Sequence, residues 1–162
     1  MSVFRRRLHG TTRRRTRGQA LVEFALVAPL FFLLLFSLID FGRFVYYLQI
    51  LNNAAREGTR YAIVHGSASL NPSGPPEAGT TSADPAGDNV VAVVRTWSVG
   101  VVGDSTVLTI TPAWLQTDGS AGGTNAREQL VRVTVGYNFT PLIPIPLPPI
   151  HIEGASTLVI NH

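Results

Sequence analysis

The chain has 162 residues, enough for one modest domain and an anchor, and its 45% hydrophobic content is gathered into particular stretches rather than spread evenly. It contains no cysteine, which excludes disulfides, thiolate metal sites and thiol chemistry. The formal charge of +3 hides a division: all 13 basic residues are arginine, seven of them precede Gly18, and the rest of the chain sets six arginines against ten acids, a balance of −4.

Residues 1–18 are therefore a basic leader. A charge run of this kind serves either as a nucleic-acid-binding arm or as a membrane flank held in the cytoplasm. Only Phe4 is interleaved among these arginines, so bases have little to stack on, and the run stops just short of an apolar segment. The flank is the better reading, and no nucleic-acid partner is expected.

Ala20 to Ile39 hold a single charge, Glu23, in 20 residues. As a helix this run spans about 30 Å, the thickness of a hydrocarbon core. A cleaved secretory signal has a shorter apolar core and a small-residue site behind it, whereas here DFGRFVYY follows. Residues 19–40 are thus expected to form a transmembrane helix, with the arginine tail cytoplasmic and the C-terminal body outside. Pro29 removes one backbone hydrogen bond, which lipid-embedded helices tolerate. Glu23 lies one turn inside the helix start, where it reaches the headgroups and favours the helix dipole; an intramembrane acid is equally a candidate functional group.

Between Asp40 and Val64 nothing stops the helix, so residues 41–65 read as its continuation outside the membrane, giving a rod of roughly 69 Å from Gln19. Phe44, Leu48, Leu51, Ala55, Gly58 and Ala62 form one stripe, and Asn52, Asn53, Arg56, Glu57 and Arg60 lie opposite, with Glu57 and Arg60 spaced to pair. Asp40 and Arg43, three apart at the outer membrane edge, read as an intrahelical pair or as a contact to a partner. Ala54, Ala55 and Gly58 either pack against the chain's own domain or let a partner helix approach closely.

A basic leader, Gly18, and a glutamate five positions on, opening an apolar helix, resemble the type III signal of type IV pilins. More narrowly, GQALVEFALVAPLFFLLLFSLIDFGRFVYY followed by NNAAREGTRYA is similar to the TadE-like family, minor pseudopilins of the tight adherence (Tad, or Flp) pilus machinery. The resemblance implies cleavage by a prepilin peptidase between Gly18 and Gln19, and a mature N-terminal amine that pairs with a neighbour's Glu23 during assembly. It also implies other pilins, pseudopilins and pilus assembly proteins as partners.

Residues 66–87 are rich in Ser, Gly, Pro and Ala and read as a flexible loop. Residues 88–162 are expected to form a small α+β extracytoplasmic domain. Asp88 can cap a short helix in which Val90, Val91, Val94, Trp97 and Ser98 follow helical spacing, with Gly100 as a stop and Trp97 as a core anchor, although the valines would also suit a strand. Strands are expected at Thr106–Thr111, Leu130–Phe139 and His151–Ile160; the second places Val131, Val133, Val135, Tyr137 and Phe139 on one face, and Gly154 in the third suggests a bulge. Gly119–Gly123 reads as a hairpin loop. TPLIPIPLPPI, before the last strand, reads as a stiff extended crossover, or as a segment that docks aromatic-lined partners.

The fold class is α+β and pilin-like, a long N-terminal helix packed on a small antiparallel sheet with one short additional helix. His9, His65, His151 and His162 are scattered, Asp118-Gly119-Ser120 lacks the alternating acids of a calcium loop, and no nucleophile elbow or phosphate loop is present. No catalytic residue, metal site or cofactor is expected. The reading is a membrane-anchored minor pseudopilin acting through helix packing; the competing one is a monomeric single-pass envelope protein with an extracytoplasmic ligand-binding domain.

Overall fold

A computed structural model describes residues 15–99, 107–143 and 148–161. Helix α1 (Arg15–Val64) runs unbroken for 50 residues through Pro29, a rod of about 75 Å. Helix α2 (Asp88–Ser98) and strands β1 (Thr109–Leu115), β2 (Leu130–Phe139) and β3 (Ile150–Val159) follow. The strands form one antiparallel sheet in the order β1-β2-β3, against which the C-terminal half of α1 packs, with α2 alongside. This is the α+β arrangement expected, a long helix, a short one and a small sheet.

The core lies between α1 and the sheet. Leu51, Ala54, Ala55 and Ala62 of α1 are buried against Val131, Val133, Val135 and Phe139 of β2 and Ile152 of β3, while Val90 and Val94 of α2 close the side. Alternation along β2 decides which residues take part: Arg132 and Asn138 point away from the core and stay exposed, as befits an antiparallel sheet with one solvated face. On that face Arg132 donates through Nε to Thr157 Oγ1 across the β2–β3 pair at 3.0 Å.

Two glycines set how closely the layers approach. A methyl at Gly58 would run into the Val94 side chain, so the missing Cβ lets α2 lie close against α1 at this point. Gly154, expected to mark a bulge, sits opposite Val135 in unbroken register, and a Cβ there would fall 2.5 Å from both the Leu51 carbonyl carbon and the Asn52 nitrogen. It is the place where the helix backbone touches the sheet. Thr59 Oγ1, bonded to Ala55 O at 2.7 Å, also reaches Ser156 O at 3.4 Å, a second tie between helix and strand.

Other expectations shift. The first strand is Thr109–Leu115 rather than Thr106–Thr111, because Pro112 lies in an edge strand, where a missing donor is tolerated; Thr106 falls outside the described residues. The third runs Ile150–Val159. The proline-rich segment joins two neighbouring antiparallel strands, so it is a hairpin connection and not a crossover; residues 144–147 lie outside the described ones. Glu57 and Arg60 form no ion pair among the described residues.

Trp97 is 58% exposed and is no core anchor. On α2 the buried line is Val90, Val94 and Ser98, spaced by four, and Trp97 points about 100° away from Ser98. The anchoring tryptophan is Trp114 of β1, which is buried under the 66–87 segment: Gly74 (φ 99°) and Gly87 (φ 78°) lie so close to its indole that a methyl at either would strike the ring. That segment has neither helix nor regular strand, yet it is fastened. Ser73 N donates to His65 O at 2.8 Å, Gly74 N to Asp84 O at 2.7 Å, and Pro75 O accepts from Asn125 N at 2.8 Å. Gly100 lies outside the described residues.

The cap of α2 is not Asp88 but Asp84. Its Oδ1 accepts from Asp88 N at 2.7 Å, and its Oδ2 from Asn89 N at 2.9 Å and from the Ser73 hydroxyl at 2.7 Å. Burial pushes the Asp84 carboxyl up, but the hydrogen bonds from Ser73 and from the backbone of Asn89, Asp88 and Gly87 outweigh it and hold it below the usual carboxylate value. Asp84→Ala removes a cap and leaves the buried Ser73 hydroxyl unpaired, an expected loss of about 2 kcal/mol. Urea unfolding of the full chain in detergent, followed by tryptophan fluorescence, measures it. Because the folded-state pKa lies below the unfolded one, the stabilisation is complete above an unfolded value of about 3.9 and disappears as the pH falls through the folded value. The acid-side loss of stability should therefore be smaller in Asp84→Ala than in the parent.

Candidate functional site

From Gly18 to Leu35 no residue of α1 is buried within the protein. Its most apolar 18-residue window has a mean hydropathy of 2.5, and none of it is buried within the protein. Leu21, Phe24, Leu26 and Leu30 are each about 70% exposed. A soluble-core helix would have its apolar side covered; this one is apolar and bare, and long enough to cross a membrane.

Glu23 projects from this bare stretch and has neither ion pair nor hydrogen bond among the described residues. Gly18 and Gln19 are exposed on the same helix, five and four residues before it. Around Gly18 an added Cβ would meet nothing within 4 Å, so packing does not require glycine there. Since glycine inside a helix costs about 1 kcal/mol relative to alanine, the fold offers no reason for it.

At the other end of the apolar run, Asp40 is 5% exposed. The sequence reading paired it with Arg43, and Arg43 Nη1 does donate to Asp40 Oδ1 at 2.8 Å. What that reading missed is the second oxygen. Oδ2 accepts from Leu142 N at 2.8 Å and from Ile143 N at 3.0 Å, so one carboxylate clasps the β2–β3 connection to the helix. The cue was present in TPLI, where Pro141 has no N–H and is followed by two that need acceptors. No one-dimensional pattern links position 142 to position 40.

Arg43 also lies over aromatic rings, its guanidinium carbon 5.2 Å from the Phe139 centroid and 5.7 Å from that of Tyr47. Phe44, Tyr47, Tyr137 and Phe139 meet edge to face at 5.4–5.8 Å. Burial works against the Arg43 charge, but hydrogen bonds and charges from Tyr47 and Asp40 outweigh it and raise its pKa above the ordinary guanidinium value. The α2–sheet domain is thus pinned to α1 where the apolar run ends.

Ala54, Ala55 and Gly58 are buried inside the chain's own domain, and the neighbour that their small size admits is α2 and the sheet. His65 stacks on Tyr61, its Nδ1 2.9 Å from Tyr61 O, and His151 bridges Asn138 and Glu153 on the exposed sheet face. Among the described residues no three His, Cys, Asp or Glu side chains gather as a metal site.

No curated protein and no solved structure matches the chain. A family model does: that of the TadE-like proteins, over residues 18–60. The matched segment holds the exposed Gly18, the bare apolar run with Glu23, and the Asp40–Arg43 pair. Over this segment, the greater part of its long helix and about a quarter of the chain, the protein is similar to the TadE-like family, whose proteins are associated with the Tad pilus.

Proposed function

We propose that the protein is a membrane-anchored minor pseudopilin that takes part in assembling a Tad-type adhesive pilus. The observation that carries this reading is the bare apolar stretch of α1, in the segment that matches the TadE-like model, with a carboxylate near its start that has no partner among the described residues. The helix spans the cell membrane once. Its arginine-rich end lies in the cytoplasm, as the positive-inside rule favours, and the α2–sheet domain lies outside. A prepilin peptidase cuts between Gly18 and Gln19, and the new amine pairs with Glu23 of a neighbouring pilin or pseudopilin. Since Asp40 and Arg43 are satisfied within the chain and Ala54, Ala55 and Gly58 lie in its core, lateral packing falls to the stretch from Glu23 to Ile39.

Replacing Glu23 tests this. Glu23→Ala removes a charge that opposes insertion, so membrane anchoring is retained. Truncating one member of a desolvated charge pair costs about 2–5 kcal/mol, enough to abolish piliation in a strain that depends on this chain. Wild-type piliation in Glu23→Ala would reduce the carboxylate to an interfacial residue and favour a monomeric envelope protein. Mass spectrometry should find Gln19 as the N-terminus where the peptidase is present. Gly18→Leu, for which the structure has room, should keep the leader.

A further inference from the structure

Opposite its packed side, α1 carries a second stripe. Gln49, Asn53, Arg56, Arg60 and Val64 recur every three or four residues and are all exposed. Helix α2 walls this stripe on one side with Val93 and Trp97, one turn apart, and two clefts meet at Glu57. The first, about 390 Å³, is lined by Ile50, Asn53, Arg56, Glu57 and Trp97; the second, about 240 Å³, runs from Glu57 past Arg60 to Val64. Together they make a groove about 21 Å long from Ile50 to Val64, with more than half of the Trp97 surface open to it or to solvent. Its charged groups lack the bonds that the other free surface has. On the sheet face Arg132 is tied to Thr157, and His151 to Asn138 and Glu153. Arg56 and Arg60, one turn apart, have neither ion pair nor hydrogen bond among the described residues. Like charges at this spacing destabilise a helix, so the fold offers no reason for the pair.

We propose that this groove is the docking site for an acidic α-helix of a different protein, one that presents two carboxylates a turn apart to Arg56 and Arg60 and an apolar side chain to Trp97. Charge decides the chemistry. From Gln19 onward the chain carries a balance of −4, yet this groove sets two arginines against Glu57 alone, so what seats here brings carboxylates. Acids at i and i+4 of a helix have the spacing of Arg56 and Arg60, and the groove accommodates about four turns. Trp and Arg are also the side chains in which interface affinity concentrates. Three other occupants fit less well. A uniform polyanion is repelled by Glu57 and has nothing apolar to lay on the indole. Anionic lipid is out of reach where α1 spans the membrane, because Arg56 stands about 24 Å along the rod beyond Asp40. A second copy lacks the matching helix: the acids of α1 and α2 are Glu23, Asp40, Glu57 and Asp88, no two of them three or four residues apart. The inference rests on the packing of α2 beside α1, and not on leader cleavage or on Glu23.

Photo-crosslinking of the full chain, in the cells that make it, is the test. The photoreactive residue p-benzoylphenylalanine in place of Asn53 lies in the groove and leaves Trp97 and both arginines intact; in place of Ala155, exposed on the sheet face, it is the reference. The expected result is an adduct from position 53, absent from position 155, whose partner peptide, read by mass spectrometry, comes from a different protein and carries two acids four residues apart. Arg56→Glu combined with Arg60→Glu should lower the yield of that adduct at least about tenfold, and exchanging the two partner acids for lysine should restore it. Arg95→Glu, the same charge change on α2 outside both clefts, should leave the yield unchanged. Since Arg56 and Arg60 bond to nothing among the described residues, the double variant should fold as the parent does, which its urea midpoint checks. An adduct from position 53 with a second copy, with lipid or with the chain itself would overturn the proposal. So would the lack of any adduct, or a yield that the charge reversal leaves unchanged. None of these results bears on cleavage at Gly18 or on Glu23, so the pilus reading stands or falls separately.

Discussion

Gly154→Val is expected to unfold the α2–sheet domain, or to destabilise it by at least about 3 kcal/mol, beyond the usual range for overpacked cores. The reason is what the new side chain would meet. A Cβ at 154 falls 2.5 Å from the Leu51 carbonyl carbon and the Asn52 nitrogen, and these are helix backbone atoms that cannot turn aside as a side chain would. Either α1 lifts from β3 or β3 leaves its register with β2. Both expose the valines of the core. Even Gly154→Ala carries the offending atom and should be clearly destabilised. Gly42→Ala gives the opposite sign: a Cβ there meets nothing within 4 Å, and helix propensity alone should stabilise it by about 1 kcal/mol. Urea unfolding in detergent micelles reads all three.

Asp40→Ala is the second large effect. It removes two charge-assisted bonds to Leu142 and Ile143 and the partner of Arg43. Hydrogen bonds to charged groups contribute about 1.5–3 kcal/mol each, but the freed groups regain water, since Leu142 is 58% exposed and the Arg43 side chain 30%. A net loss of about 3 kcal/mol is expected on that basis, concentrated at Leu142 and Ile143. Amide exchange at Leu142 and Ile143 should accelerate far more than exchange in β2. Asp40→Asn, which keeps an acceptor oxygen, should fall between parent and alanine. Unchanged exchange at these two amides in Asp40→Ala would mean that the clasp does not hold the connection.

What could be seen in the sequence was whatever repeats along it. The period of α1 and the clean alternation of β2 are local patterns, and Leu130–Phe139 was placed to the residue. Properties that depend on a distant partner were not visible. Gly154 looks like an interruption in an alternating strand until helix backbone is set against it. Trp97 follows helical spacing with Val90 and Val94, yet the ring that anchors the loop is Trp114, and only the fold brings Gly74 and Gly87 onto it. Asp88 stands where a cap belongs, but the segment before it turns back so that Asp84 reaches the same amides. At the candidate site, the Asp40–Arg43 pair was legible from its spacing of three, whereas the bond to a backbone 102 residues away was not.

Cysteine accessibility in cells tests the central claim most directly, that α1 is a rod crossing the bilayer with its arginine end inside and its domain outside. In a strain without prepilin peptidase, so that the leader stays attached, a membrane-impermeant maleimide should modify Thr117→Cys in intact spheroplasts and Ser2→Cys only after lysis. Modification of Ser2→Cys in the intact spheroplasts with Thr117→Cys protected, or recovery of the chain in the soluble fraction, would contradict the account.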